Sequence, residues 1–522
     1  MIRAVSGGRT AYFGTFLIMH GIPGALIWAV CYLLVVGVLA LYGVHRYCII
    51  YLYLKYRNTP PKPQGKFETL PKITVQLPIF NELYVVERLL KSVAELDYPR
   101  DLLEIQVLDD STDETCALAE GGVQKLRDQG FNARFIHRTD RTGFKAGALE
   151  NGLASCEGEF VLILDADFVP PPDLLRKTID FFTDPKVGMV QSRWGHINRD
   201  YSLLTRIQAM FLDGHLVLEQ TARSRSGRFF NFNGTAGLWR RSCIAEAGGW
   251  QHDTLTEDLD LSYRAQLAGW KFVFLRDLIT PAELPVDMNG FRSQQHRWTK
   301  GSIQTCKKIL GTIWRSPLPL LIKLEATMHL TSNFAYLLLV FLCLLVNSSS
   351  QIDQFWSGPW RTLLFDIPVF MVASLSAAVF YACAQREVFP DTWWKELLYI
   401  PCLLALGIGM SVNNARAVLE AVFNHQSEFT RTPKYGIEKQ KQRWHSTKYS
   451  SIKTLLPFIE LGFALYFTYV VIGAAVTGAW LSVPFLALFQ AGFTYVAYSS
   501  ISQWLPRTET PDDPEPGEVV AA

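Results

Sequence analysis

Acidic residues follow two short apolar runs of the sequence, and these residues have the clearest chemical potential. Asp109 and Asp110 follow the run 105–108, and Asp165 and Asp167 follow the run 160–164. One such acidic site could simply form a turn. Two sites at the ends of neighbouring strands could instead hold Mg²⁺ or Mn²⁺ through hard oxygen ligands, with substrate phosphates completing the shell. Such an ion would offset the charge that develops on a departing diphosphate.

Lys145 stands in a glycine-flanked stretch, 143–149, that is predicted to begin a helix. Its ammonium group could neutralise a diphosphate, and the alternative is an ordinary solvated surface lysine. The stretch lacks the GxxxxGK[ST] spacing of a phosphate loop, which disfavours ATP hydrolysis.

A second acidic motif, Thr256-Glu257-Asp258, precedes the helical-looking run 259–268. Thr256 is a natural N-cap, and acidic residues in a first turn complement the helix dipole. The functional alternative makes Asp258 a general base that accepts a hydroxyl proton. The two interpretations are compatible, because a helix N-terminus can position a base.

The motif 294–298 places a cation beside a large aromatic side chain. On a helix, Gln294 and Arg297 share a face. Arg297 suits bidentate contact with phosphate oxygens, and Trp298 offers a flat surface to a pyranose ring. An Arg-Trp pair alone is more often ordinary packing.

These motifs lie within a pattern of alternating strands and helices. The runs 73–77, 105–108 and 160–164 are predicted as buried parallel strands, and 81–96 and 173–182 as crossover helices. The alternation predicts a doubly wound α/β domain, whose ligands bind at the carboxyl ends of the strands. The Asp pairs fall at those ends.

Composition places this domain in a membrane protein. The 522 residues are 49% hydrophobic and 19% charged, too apolar for an ordinary soluble enzyme and too charged for a pure membrane bundle. The near-neutral net charge of +2 gives no indication of a nucleic-acid partner. No CxxC pair occurs, which disfavours a disulfide framework or zinc site. The predicted spans are 22–44, 328–346, 363–384, 455–475 and 481–498.

Charge distribution predicts the orientation of these spans. Basic residues crowd the linker after the first span and the loop 431–453, so both should be cytoplasmic. The interrupted apolar segment 395–423 is therefore interpreted as a helix at the cytoplasmic interface. Five spans then put the N-terminus outside, and the α/β domain and C-terminus inside. The tail 506–522 is predicted to be disordered.

As a set, the motifs resemble the processive family 2 glycosyltransferases, and most closely the cellulose-synthase-like glucomannan 4-β-mannosyltransferase subfamily. The likeness covers about 72–308. It is carried by 76–78 with 81–82, 106–113, 145–149, 165–168, 232–237, 246–250, 256–258 and 294–298. It extends more weakly to 429–434, which is similar to a gating loop.

The resemblance implies a domain of the GT-A type and a role for each matching residue. The donor nucleotide and diphosphate would be bound by Pro78, Glu82, Asp109, Asp110, Lys145, Asp165, Gln294 and Arg297. Mg²⁺ or Mn²⁺ would be held by Asp165 and Asp167, and Asp258 would be the catalytic base. The acceptor would meet Asn233, Gly234, Thr235 and Trp298, and the gating loop would include Phe429, Arg431, Thr432 and Lys434.

The sequence therefore predicts four regions: a first span with its basic linker at 1–71, a cytoplasmic glycosyltransferase domain at 72–315, a membrane region at 316–505 and the tail. The membrane region includes the interface helix and a gating-like loop at 425–436. The expected activity is inverting, processive transfer of hexose from GDP-mannose or UDP-glucose to a β-linked mannan, glucomannan or glucan at a bacterial inner membrane or its equivalent. A glycolipid synthase with a lipid acceptor, and a transporter or receptor with a nucleotide-binding domain, are the alternatives.

Overall fold

A computed structural model describes residues 22–346, 367–426, 432–438 and 454–504, with the single positions 358, 360 and 363. Phe429, Arg431, most of the loop 347–360 and the tail 506–522 lie outside these residues. The described chain contains a seven-stranded sheet with helices on its faces and a group of long apolar helices.

The sheet confirms the predicted α/β class. Its strands are β1 Ile73–Ile79, β2 Leu103–Asp109, β3 Asn132–His137, β4 Phe160–Ile163, β5 Val187–His196, β6 Gly237–Arg240 and β7 Lys271–Ala282. Their order is β3-β2-β1-β4-β6-β5-β7. The pairs β1–β2, β2–β3, β1–β4 and β5–β7 are parallel, whereas β6 runs antiparallel to both neighbours. The sheet is thus parallel across β3, β2, β1 and β4, and mixed across β6, β5 and β7.

In chain order, the helices up to the end of the α/β domain are α1 Ile22–Tyr56, α2 Val86–Ala94, α3 Thr115–Asp128, α4 Phe144–Ala154, α5 Leu174–Thr178, α6 Leu203–Asp213, α7 Gln220–Arg225, α8 Arg241–Glu246, α9 Glu257–Leu267 and α10 Met288–Arg315. Helices α3, α4, α7 and α8 contact the strands of the sheet, whereas α1 packs mainly on other helices. A π-helical turn, Gly214–Glu219, joins α6 to α7, and 3₁₀ turns occupy Arg100–Leu102 and Ile179–Thr183.

The three strands predicted from apolar runs form the centre of the sheet. Every residue of β2 and β4 is buried, as expected for parallel strands covered on both faces. The predicted helix 81–96 begins only at Val86, and 173–182 changes from α to 3₁₀ geometry at Ile179. Asn81 has a φ of 52°, which is incompatible with a helix start at that position.

Apolar helices follow the α/β domain. They are α11 Leu320–Thr331, α12 Phe334–Leu345, α13 Ile367–Val388, α14 Trp393–Gly409, α15 Ser411–Val422, α16 Leu456–Val476 and α17 Val483–Ser502. Among the described residues, three helices are long and apolar enough to cross a bilayer alone: α1 from Leu26, α13 and α16. The bent pairs α11–α12 (58°) and α14–α15 (41°) raise this number to five if each pair is one span.

These candidates differ in part from the predicted spans. The proposed interface segment 395–423 is the α14–α15 pair, whereas α17, on the predicted span 481–498, is not a candidate. Its sequence interrupts the apolar run with Gln490, Thr494 and Ser499, which lower its hydropathy.

Helix α10 ties the α/β domain to the apolar helices through buried ion pairs. Arg292 pairs with Glu460 of α16 at 2.7 Å, and Lys300 pairs with Glu420 of α15 at 3.0 Å. A buried pair of this kind fixes relative position more than it stabilises. The helix that carries Gln294, Arg297 and Trp298 is therefore held by both parts of the chain.

A reporter fused after the C-terminal helix should register as cytoplasmic, and one in the loop 347–360 as external. The reason is that the basic loop 431–453 should stay on the side of the α/β domain. An alkaline-phosphatase and fluorescent-protein pair at each position measures this. An external C-terminus would contradict the predicted five-span topology.

Candidate active site

A cleft of about 250 Å³ opens at the carboxyl ends of β1, β2 and β4, where the topology of a doubly wound sheet places ligands. It brings together residues predicted from separate motifs. Its lining includes Pro78, Glu82, Asp110, Lys145, Asp165, Asp167, Asn233, Gly234, Asp258, Gln294, Arg297, Trp298, Thr432 and Lys434.

Two predicted residues stand behind the lining. Asp109 is fully buried, and its Oδ2 lies at hydrogen-bond distance, 2.7 Å, from His137 Nδ1. Its ligand atom lies within 4.8 Å of those of His137 and Cys116, a meeting of Cys and His that the spacing of the sequence does not reveal. Asp110, the next residue, does face the cleft, where Arg138 donates to both of its oxygens at 2.8 and 2.6 Å.

Lys145 lies in the first turn of α4, as predicted, and its ammonium group is shared by two partners. It bonds to Asp165 and donates to the Gly234 carbonyl at 2.9 Å. Thr235, the second residue behind the lining, accepts the Asp165 backbone N–H at 2.8 Å and so fixes the start of that motif. Burial lowers the pKa of Lys145, but the carboxylates of Asp165, Glu257 and Asp258 outweigh burial, so the lysine stays charged.

Asp167 contacts Lys434 of the gating-like segment. Asp167 is 5% exposed, and Lys434 Nζ donates to Asp167 Oδ2 at 2.6 Å. Asp165 and Asp167 offer carboxylate oxygens, the donor type that Mg²⁺ and Mn²⁺ prefer. In this structure ammonium groups neutralise both carboxylates. The donor set fits a hard divalent cation that would replace part of this pairing.

Asp258 stands at the N-terminus of α9. Its Oδ1 accepts the N–H of Leu259 at 2.8 Å. A Cβ on Gly234 would come within 3.0 Å of Oδ2, and Gly234 has a φ of +87°, so only glycine fits beside this carboxylate. Thr256 occupies the N-cap position but makes no side-chain cap; its hydroxyl contacts Thr305 at 3.3 Å instead.

Burial and the neighbouring Glu257 raise the pKa of Asp258 from 3.8 to about 7, against the opposing effect of the Leu259 N–H. A carboxyl group with this pKa is poised to accept a proton near neutral pH. This pKa is consistent with the predicted role of Asp258 as the base.

A second cavity of about 340 Å³ adjoins the cleft and reaches the apolar helices. Asp258, Asn233, Gln294 and Trp298 line both. Its other walls combine apolar and aromatic residues with polar side chains, among them Gln208, His215, Glu219, Gln295, Asn333 and Tyr336. It also touches the breaks in the two bent helix pairs, at Ser332 and Met410. Asp258 therefore lies where two cavities meet.

Asn233 is held in place by a network that the sequence did not predict. Its amide oxygen accepts from Gln191 at 2.8 Å and Gln220 at 2.6 Å, and its amide nitrogen contacts His215 Nε2 at 2.8 Å. His215 lies on the π-helical turn, a geometry that often marks functional sites. No linear motif connects these positions, so only the fold reveals the network.

Three other cleft residues were missed for the same reason. Trp194 lines both cavities, and Arg141 stacks on Phe80 at 3.2 Å. Glu283, directly after β7, lines the cleft with its side chain nearly fully buried. The one signal for Glu283 in the sequence is an acid within the apolar stretch Ala282-Glu283-Leu284-Pro285, since an acid buried in such a stretch requires partners.

Comparisons with known proteins agree with this geometry. Residues 71–301 match the family described as "Glycosyltransferase like family 2", so this part of the chain is a family 2 glycosyltransferase domain. The chain is 46% identical over 251 residues to glucomannan 4-beta-mannosyltransferase 2 of Arabidopsis thaliana, covering 47% of each chain. It is 42% identical over 270 residues to glucomannan 4-beta-mannosyltransferase 1 of Oryza sativa subsp. japonica, covering 50% of this chain and 52% of the relative.

The chain thus spans about half the length of the curated relatives it matches. Among solved structures, it is similar to the mannosyltransferase PcManGT from Pyrobaculum calidifontis in complex with GDP-Man and Mn²⁺. The TM-score is 0.49 at 18% identity, covering 75% of this chain and 100% of that one.

Asp258→Asn should abolish transfer while leaving donor binding within about twofold, because the amide keeps the shape but cannot accept the proton. Loss of a general base typically lowers kcat by about 10² to 10⁴. Turnover and donor titration calorimetry on the same preparation measure the two effects. A parallel fall in donor affinity would place Asp258 in the nucleotide site instead.

The rate should also depend on pH through Asp258. Protonation below its raised pKa removes the base, so kcat/KM should fall as pH decreases through about 7. An ordinary exposed aspartate would titrate near 3.9. The measurement is the pH profile of kcat/KM at fixed ionic strength, and a flat profile from pH 8 to 5 would contradict the assignment.

Proposed function

We propose that this family 2 glycosyltransferase domain moves mannose from a sugar nucleotide onto the end of a β-linked polysaccharide at a membrane. The observation that carries the proposal is the position of Asp258 at the meeting point of a charged cleft and a second cavity with polar and aromatic side chains. The charged cleft suits a nucleoside diphosphate sugar, and the mixed polar and aromatic walls of the second cavity suit a sugar acceptor. The mannosyltransferase relatives favour GDP-mannose over UDP-glucose as donor.

The proposed reaction is one in-line displacement. Asp258 takes the proton of the acceptor's terminal hydroxyl, and that oxygen attacks the anomeric carbon of the α-linked donor. The bond to the diphosphate breaks as the new one forms, so the product carries a β-linkage.

Basic residues of the chain stabilise the leaving diphosphate. Lys145, Arg297 and Lys434 line the donor cleft and can donate to its oxygens. A divalent cation held by Asp165 and Asp167 would supply additional charge neutralisation when bound. Asp110, fixed by Arg138, borders the same cleft and is assigned to the nucleotide.

The acceptor is assigned to the second cavity. Trp298 lines both cavities, and its aromatic ring suits stacking on the terminal sugar. Asn233 can donate its remaining amide N–H to a sugar hydroxyl from its fixed position, since its amide oxygen already accepts two hydrogen bonds. The cavity continues to the breaks in the bent helix pairs, which supports a path for product toward the membrane. That continuation favours a polymer over a glycolipid that receives one sugar.

The proposal is tested by giving purified enzyme each radiolabelled donor in turn, with Mn²⁺ or Mg²⁺, and digesting the product with linkage-specific hydrolases. GDP-mannose should support synthesis of a product that a β-1,4-mannanase degrades. Incorporation from UDP-glucose alone would contradict the donor assignment, and a single-sugar lipid product at saturating donor would contradict polymerisation.

Trp298→Ala should shorten the polymer, because loss of the stacking surface weakens the hold on the terminal sugar between additions. Removing an aromatic platform typically costs about 1 kcal/mol or more, roughly a severalfold faster release of product. Mass spectrometry or gel electrophoresis compares product length with that of wild type. Trp314→Ala is a matched control, since this exposed tryptophan lies on the same helix and outside both cavities.

A further inference from the structure

The segment 432–438 is seated against the donor cleft by one buried carboxylate. Glu283 Oε1 accepts the backbone N–H of Tyr435 at 2.9 Å, and Oε2 accepts that of Gly436 at 3.1 Å. Its own carbonyl accepts from Lys434 Nζ at 2.8 Å. Hydrogen bonds to a buried charged acceptor are among the stronger ones in proteins. Three consecutive residues of the segment therefore depend on Glu283.

The fold places Glu283 beside Asp167. Glu283 follows the last residue of β7, and Ala282 forms an isolated bridge with Phe168, the neighbour of Asp167. The segment 432–438, which is bound to Glu283, is thereby brought close to the acidic motif that contains Asp167. Lys434 spans the remaining gap and donates to Asp167 Oδ2 at 2.6 Å.

Other contacts complete the seat. Tyr435 and Ile437 pack with Val286 in a small buried cluster. Arg88 pairs with Glu283 at 3.4 Å and with Glu438 at 2.9 Å. Gly436 has a φ of +70°, and a Cβ there would lie 2.9 Å from the Tyr84 carbonyl oxygen. The seat thus accepts glycine and excludes larger residues at this position.

We propose that Glu283 is a positioning residue that sets the affinity of the enzyme for its divalent cation, by holding Lys434 on Asp167. The inference rests on the proposed role of Asp165 and Asp167 in cation binding. With the segment seated, an ammonium group lies on one cation ligand and repels a second positive charge. The cation binds only the fraction of molecules in which Lys434 has moved, so its apparent affinity falls by that fraction.

The seated segment also serves turnover. Lys434 lines the donor cleft, so a segment whose backbone is held by Glu283 keeps the Lys434 ammonium group within reach of the donor diphosphate after that group has left Asp167. Loosening the seat should therefore have opposite effects on two quantities: the cation binds more tightly, and kcat falls. A general structural defect would weaken both.

The test is direct Mn²⁺ titration of the detergent-solubilised full chain without donor, with free Mn²⁺ followed by electron paramagnetic resonance. Glu283→Gln removes the charge at nearly constant shape. It should lower the Mn²⁺ dissociation constant about tenfold, the value for a seated fraction of roughly nine-tenths. In the activity assay kcat should fall.

Gly436→Ala tests the same seat from the segment side, without touching a charged group, and should shift both quantities in the same directions. If Glu283→Gln lowers the midpoint of thermal unfolding, Gly436→Ala still tests the role of the seat. Glu438→Gln is the matched control: it removes another carboxylate partner of Arg88 but leaves both N–H acceptors, and should bind Mn²⁺ within about twofold of wild type.

Unchanged or weaker Mn²⁺ binding in both folded seat variants would overturn the role of Glu283 while leaving the proposed function intact. A wild type and variants that all fail to bind Mn²⁺, with or without donor, would overturn the cation assignment itself. The two failures are thus distinguishable.

Discussion

Several carboxylates line one cleft, and the arrangement of the site follows from the need to neutralise them. Like charges taken out of water repel each other and raise each other's pKa unless cations lie close by. The structure meets this requirement with basic groups from three separate parts of the chain. The carboxylates include Asp165, Asp167, Glu257 and Asp258, and the basic groups include Lys145, Arg297 and Lys434.

The basic groups lie closer to some of these acids than to others, and this difference separates the roles of the acids. Asp165 and Asp167 have ammonium partners at hydrogen-bond distance, so they are ready to exchange them for another cation. The carboxylate of Asp258 accepts the Leu259 N–H, and burial together with the neighbouring Glu257 raises its pKa to about 7. A cation site and a base can therefore coexist in one cleft, because the neutralising groups are distributed unequally.

Much of this site could be predicted from the sequence, because its residues belong to short motifs whose positions follow from local secondary structure. Acids that follow apolar strands must appear at one edge of a parallel sheet, and Gln294 and Arg297 must share a helix face. Asp109 shows the limit of this reasoning: residue type and position suggested a ligand, but its side chain turns inward to His137. Neighbours in a strand point to opposite faces, and the sequence did not reveal which one faced the cleft.

Groups that meet only through tertiary contacts could not be predicted. Glu283 and the segment 432–438 are about 150 residues apart in the chain, and no motif links them. The same holds for Gln191, Gln220 and His215 around Asn233. The membrane helices add a second limit, since hydropathy alone did not distinguish a bent pair from an interface helix.

The central claim is that Asp258 drives one displacement at the anomeric carbon, and the configuration of the new bond tests it most directly. The measurement is nuclear magnetic resonance of the product made from GDP-α-mannose labelled with ¹³C at the anomeric carbon, using a short manno-oligosaccharide acceptor. The account predicts that every newly formed linkage is β. A product with α-linkages would require two displacements or a front-face mechanism, and would contradict it.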